Sequence, residues 1–193
     1  QHDTPHKSSP NAASAADSRP TADPSVGAAS NVPVAITRTY GRLKFTPCTL
    51  APEIGTASVE AQCTTMKVPE DRAAPSGRKI DLAIAWLPAK DEGEPDPLFF
   101  IAGGPGQSAL ESFPGIAPAF TELRKKRDVI LVDQRGTGKS APLLCKDSEG
   151  KSAVTDKEDY SLDAATAFAA RCAKLMSKTA DLRFYTTTDA IQD

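Results

Sequence analysis

The sequence predicts an α/β fold with a mostly parallel sheet flanked by helices, and three observations point to it. Phe99-Phe100-Ile101 and Val129-Ile130-Leu131-Val132 are continuous apolar runs, the form taken by parallel strands buried on both faces. Between them Ile116, Phe120 and Leu123 recur at helical spacing. Each apolar run ends in a glycine-containing loop, Gly103-Gly104-Pro105-Gly106 after the first and Asp133-Gln134-Arg135-Gly136 after the second. The unit reads as strand, glycine loop, helix interrupted at Pro114, strand.

The other elements follow in chain order. Residues 1–33 are rich in Ala, Ser, Pro and Asp, contain no aromatic residue and show no periodicity, so a disordered tail is expected there. Order is expected from about Val34, giving one domain over 34–193. Alternation over Cys63–Val68, and more clearly at Ile80, Leu82, Ile84 and Trp86, predicts two strands. Pro69–Arg78, with Pro, Asp and Ser-Gly, reads as a hairpin-like connection between them. Leu162, Ala165, Phe168, Cys172 and Met176 mark a helix with Ser161 as its N-cap. Thr186-Thr187-Thr188-Asp189 supplies a cap and a first turn just before the sequence stops, so the expectation is a fragment of a longer protein.

Composition narrows the functional classes. The 193 residues suffice for one domain with a sizeable core, and the hydrophobic content of 39% is ordinary. A net charge of -2 and a pI near 5.8 give no electrostatic footprint for nucleic acid, and the basic run Arg124–Arg127 reads as a solvated helix end. No apolar stretch approaches the roughly 18 residues of a membrane span. The sequence begins at Gln1 without an initiator Met, and a removed signal peptide together with export is the expectation.

Cys48, Cys63, Cys145 and Cys172 lack the Cys-x-x-Cys pairs of zinc or redox sites. Two disulfides are one reading, Cys48 to Cys63 closing a loop and Cys145 to Cys172 pinning the second helix. Four buried thiols in a cytosolic protein are the other. No cluster has metal-ligand spacing, and neither a metal nor a cofactor is expected.

The glycine loops admit three readings. Gly104-Pro105-Gly106-Gln107-Ser108-Ala109 satisfies the dinucleotide pattern, but Pro114-Gly115 interrupts the helix that would receive a pyrophosphate. Gly136-Thr137-Gly138-Lys139-Ser140 resembles the end of a P-loop, yet Asp133 stands where its first glycine belongs and Pro142 spoils the following helix. The third reading uses both loops at once, with Gly-Gly-Pro-Gly exposing an amide to a developing negative charge.

The pair Gly-Gly-Pro-Gly and Asp-Gln-Arg-Gly-x-Gly-x-Ser, about 30 residues apart, resembles the proline iminopeptidase and tripeptidyl aminopeptidase family of α/β-hydrolases. The resemblance extends over about Tyr40–Asp193. It implies an α/β-hydrolase fold and a serine peptidase that removes residues or short peptides from free N-termini, with a Ser, Asp and His triad. It also implies that Gly104 donates an oxyanion amide which Gly103 allows to orient. Pro105, Gly106, Asp133, Gln134, Arg135 and Gly136 then support the active-site loops. Ala102 replaces the histidine of the family's commonest form, which favours the exported tripeptidyl-type branch.

The triad itself is missing from the sequence. No Gly-x-Ser-x-Gly occurs, and Leu110 and Pro142 occupy the place of the second glycine after Ser108 and Ser140. Both serines are expected to bond local backbone. His2 and His6 fall in the N-terminal segment, remote from the loops. The chain alone is therefore expected to be inert, truncated before the nucleophile elbow, with the triad beyond Asp193 and the missing C-terminal half needed for a complete fold. The resemblance places Phe99–Ile101 beside the nucleophile strand, so the chain alone is expected to leave an apolar edge unpaired. Peptides with free N-termini are the expected partners. A non-catalytic secreted hydrolase-like binding module is the competing reading, and a nucleotide-binding protein the third.

Overall fold

The computed structural model describes residues 37–52, 54–104, 106–147, 149–152 and 161–193. The expected tail, His2 and His6, and Pro105 lie outside the described residues.

Four strands form a meander, Arg38–Tyr40 (β1), Leu43–Leu50 (β2), Val59–Pro69 (β3) and Lys79–Leu87 (β4), each antiparallel to the one before. The turn Gly41-Arg42 joins β1 to β2, and Gly41 takes φ +56° there. The alternating run Ile80, Leu82, Ile84, Trp86 forms β4, and residues 70–78 are its hairpin connection to β3.

Beyond β4 come Leu98–Phe100 (β5), the helix Ala109–Ile116 (α1), a 3₁₀ turn Ala117–Phe120, a short helix Leu123–Lys126 (α2) and the strand Val129–Val132 (β6). β6 pairs antiparallel with β4 and parallel with β5, giving the order β1-β2-β3-β4-β6-β5.

This corrects the expected fold class. The structure is a curled, mostly antiparallel half-barrel sheet with few helices, not a mostly parallel α/β-hydrolase sheet flanked by helices. Short connections between β1, β2, β3 and β4 permit only antiparallel neighbours, and one crossover, through α1 and α2, makes the parallel pair. The apolar run of β5 also departs from expectation. Phe99 and Ile101 are each 60% exposed, because they point to the opposite face from Phe100, which packs against Phe113 of α1.

One face of the sheet carries the main core. Leu50, Ala61, Ala85, Leu87, Val129 and Leu131 pack under Ala109, Leu110 and Phe113 of α1. Phe100, Phe113 and Phe120 stack edge-on or tilted beside them, with centroids 5.1–6.0 Å apart. A smaller cluster of Val68, Ile80 and Leu82 lies on the opposite face, as their alternation with Ala85 and Leu87 requires. Pro114 does not interrupt α1, which continues to Ile116 before passing into the 3₁₀ turn. A proline loses one amide hydrogen bond, and its ring sits here among buried residues.

Leu162–Met176 (α3) begins at Ser161, whose hydroxyl accepts from the Ala164 amide. Cys172 is its only buried residue, and Leu162 in its first turn is exposed. Thr187–Ile191 (α4) is opened by a capping box between Thr186 and Asp189. Both disulfides form, Cys48–Cys63 between β2 and β3 and Cys145–Cys172 between α3 and the loop after β6.

Candidate functional site

The glycine loop leaves β5 at Ile101 and enters α1 at Ser108. Gly103 and Gly104 are exposed, and Gly104 takes φ +126°, a region in which an L side chain is strained. A Cβ on Gly104 would also stand 2.9 Å from Gln107 Cγ. Gly106 has φ +84° and open space around it.

Two consecutive carbonyls of this loop are anchored. Gln134 Nε2 donates to Ala102 O at 3.3 Å, and the Gln107 amide donates to Gly103 O at 3.3 Å. In a planar trans peptide the N–H points opposite to the C=O of the same unit. The Gly103 and Gly104 amides are thereby turned away from their anchors, and among the described residues neither donates to a protein acceptor.

The second loop holds the first through two successive side chains, Asp133 and Gln134. Asp133 is fully buried, and one of its carboxylate oxygens accepts from Ser108 Oγ at 2.8 Å and from the Leu110 amide at 3.1 Å. The other oxygen accepts from the Lys139 amide at 3.0 Å. Gln134 reaches Ala102 O, as above. Arg135 runs in the other direction, with a fully buried side chain.

All five N–H groups of the Arg135 guanidinium find acceptors. Nε and Nη2 grip the two oxygens of Asp193 at 2.7 and 2.5 Å, while Pro69 O, Glu70 O and Phe184 O take the rest at 3.3, 2.9 and 2.7 Å. The bond from Asp193 raises the Arg135 pKa above the ordinary guanidinium value, against the opposing effect of burial. Arg72 shares the Asp193 carboxylate at 2.5 Å.

Glu70 is a second hub, accepting from the Asp181 amide and the Tyr185 hydroxyl, each at 3.0 Å, with Arg78 at 3.4 Å. Burial, followed by the bond to Glu70, pushes the Tyr185 hydroxyl up to about 12. Neither Glu70 nor Asp193 stood out in the sequence. A charged residue directly after the strand end Val68-Pro69 was the one available signal for Glu70, and nothing local marks Asp193.

Glycines complete the second loop. A Cβ on Gly138 would lie 2.1 Å from Asp133 Oδ2 and 2.8 Å from Ser108 Cβ, and the residue takes φ +49°. Gly136, at φ +84°, is crossed by Tyr185 Cδ1 and Leu143. The two tempting serines are engaged. Ser108 Oγ donates to Asp133 and accepts from the Glu111 amide at 3.1 Å, while Ser140 Oγ, fully buried, accepts from the Ala83 amide at 2.8 Å.

A cleft of about 670 Å³ opens over β2, β3 and β4, walled by Thr46, Cys63, Ala83, Leu110 and Lys139. The glycine loop is not among its walls. Among the described residues no group of three metal-ligating side chains comes together.

In sequence, part of the chain is hydrolase-like. Over 86 residues, 44% of its length, it is 36% identical to Carboxylesterase B of Mycobacterium tuberculosis, the matched stretch being 16% of that protein. Over 95 residues, 46% of the chain, it is 34% identical to Tripeptidyl aminopeptidase of Streptomyces lividans, covering 17% of it, and equally similar to the protein of that name from Streptomyces coelicolor. The matches thus span about one sixth of the length of these curated relatives. No family model matches the sequence.

Proposed function

We propose that this chain is part of an exported serine exopeptidase that hydrolyses peptide bonds near free N-termini, and that it supplies the oxyanion-hole loop. The observation that carries this reading is the pair of anchored carbonyls at Ala102 and Gly103, with the adjoining amides donating to no protein acceptor among the described residues. Esterases and aminopeptidases, the named activities of the relatives, share attack on a carbonyl carbon. In that step the carbonyl oxygen gains negative charge, and a preorganised amide stabilises it.

The roles divide accordingly. A serine outside residues 1–193 attacks, a histidine outside them takes its proton, and an acyl-enzyme forms and is then cleaved by water. Within the chain, the Gly104 amide donates to the oxyanion and Gly103 lets it turn. Gly106 and Gly136 shape the two loops, while Asp133, Gln134 and Arg135 brace them. Two disulfides fit an oxidising compartment, which supports export.

The test is labelling with a fluorophosphonate probe, followed by peptide mapping, on residues 1–193 alone and on the longer polypeptide. The expected label falls on a serine outside 1–193, together with cleavage of tripeptide or proline chromogenic amides. Label on Ser108 or Ser140 would contradict the assignment. Binding of peptides with neither label nor cleavage would establish a non-catalytic module instead.

A further inference from the structure

We infer that Gln134 is the positioning residue that directs the Gly103 amide, making that amide a second donor to the oxyanion beside Gly104. The inference deepens the hydrolase reading above and rests on it. Its basis is the linkage between one side chain and one peptide plane. Gln134 Nε2 holds Ala102 O at 3.3 Å, and Ala102 O and the Gly103 N–H belong to the same rigid unit.

The surroundings leave this plane few other restraints. Gly103 is exposed, with no atom within 4 Å of where a Cβ would stand, so on its side of the plane, beyond Ala102 packed against the main core, the Gln134 bond is the restraint. Gly104 differs, because the Gln107 amide holds the Gly103 carbonyl from within the loop itself. The first peptide therefore depends on the neighbouring loop while the second is held locally. Gln134 is fixed in turn by its chain neighbours, the buried Asp133 and the five-bonded Arg135. The direction of the Gly103 amide is thus set by the end of β6.

The donor, and not the bulk, of Gln134 is what this role needs. Met fills the same space without a hydrogen bond, Glu has the same shape but presents only acceptors when ionised, and Lys retains a donor on a long stem. Two readouts separate the inference from the reading beneath it. On residues 1–193, backbone NMR of Gly103 and Gly104 follows the amides directly. On the longer hydrolase polypeptide, kcat and KM are measured separately.

Gln134→Met and Gln134→Glu are expected to shift and loosen the Gly103 amide while leaving Gly104 much less affected. They are also expected to lower kcat by about 100-fold with little change in KM, the usual effect of misplacing a catalytic group by about 1 Å. Gln134→Lys is expected to retain most of the rate. Unchanged Gly103 signals in both donor-free variants would overturn the inference whatever the enzyme does. Shifted Gly103 signals with an unchanged kcat would overturn the second-donor role while leaving the hydrolase reading intact. An inactive unsubstituted polypeptide would instead overturn the hydrolase reading, and the inference with it.

Discussion

Ser108 caps α1 with the same hydroxyl that it donates to Asp133, 2.8 Å away at the end of β6. One oxygen atom thereby couples the start of the helix to the loop beyond a different strand. Loss of Asp133 leaves the Leu110 and Lys139 amides without their acceptor, so Asp133→Ala is expected to destabilise by about 3 kcal/mol. Ser108→Ala should cost about 1 kcal/mol, the usual value of an N-cap. Urea denaturation of both single variants and the double variant tests this, and a double cost below the sum of the two is expected because the residues share a bond.

Gly138 and Gly106 both take positive φ, but they differ in what surrounds them. Gly106→Ala meets open space and is expected to cost about 1 kcal/mol for the left-handed backbone alone. Gly138→Ala must displace the Asp133 carboxylate, and its cost is expected to exceed about 3 kcal/mol. Equal midpoints in denaturation would show that the contact with Asp133 is unimportant.

Arg135 and Asp193 form a bidentate pair with side chains 0% and 6% exposed. Removing one member leaves the other buried and uncompensated, so Arg135→Ala is expected to lose about 3–5 kcal/mol. Arg135→Lys keeps the charge but not the five-donor fork, and should recover only part of that stability.

Tyr185 gives an alkaline dependence. Its hydroxyl is raised from 10.0 to about 12 by burial first and by the Glu70 bond second. A raised folded pKa means that the stabilising contribution is complete below about 10, the unfolded value, and is lost as pH rises through about 12. Stability is therefore expected to fall across that window, and Tyr185→Phe should flatten the fall while lowering stability at neutral pH. Denaturation at a series of alkaline pH values, with tyrosinate absorbance followed in parallel, measures both.

Reduction should act chiefly on α3. Cys172 is the helix's only buried residue, and its bridge closes a separation of 27 residues, for which loop entropy gives about 3.5 kcal/mol. Cys145→Ser with Cys172→Ser is expected to lose about that much and to speed hydrogen exchange in Leu162–Met176 before the sheet is affected.

What could be read from the sequence followed from how local each feature is. The hairpin of β3 and β4 was legible because alternation at Ile80, Leu82, Ile84 and Trp86 is written within one strand. Caps at Ser161 and Thr186 were legible for the same reason. Sheet polarity was not, because an apolar run such as Val129–Val132 pairs equally well with β4 in one sense and β5 in the other. The exposure of Phe99 depends on what covers its face of β5, which no pattern within the strand records. In the site, the glycines of both loops were visible as glycines. The requirement at Gly138, the hub at Glu70 and the partnership of Arg135 with Asp193 arise from contacts between distant residues.

The most direct test of the proposed oxyanion loop is Gly104→Ala in a longer polypeptide that contains this chain, assayed for the proposed hydrolase activity. A Cβ there is strained at φ +126° and meets Gln107 Cγ at 2.9 Å, so the substitution is expected to turn the amide while leaving its N–H in the chain. With folding verified by circular dichroism, kcat is expected to fall by about 100-fold or more and KM to change little, as for loss of one oxyanion donor. An unchanged kcat in the folded variant would contradict the assignment of this loop.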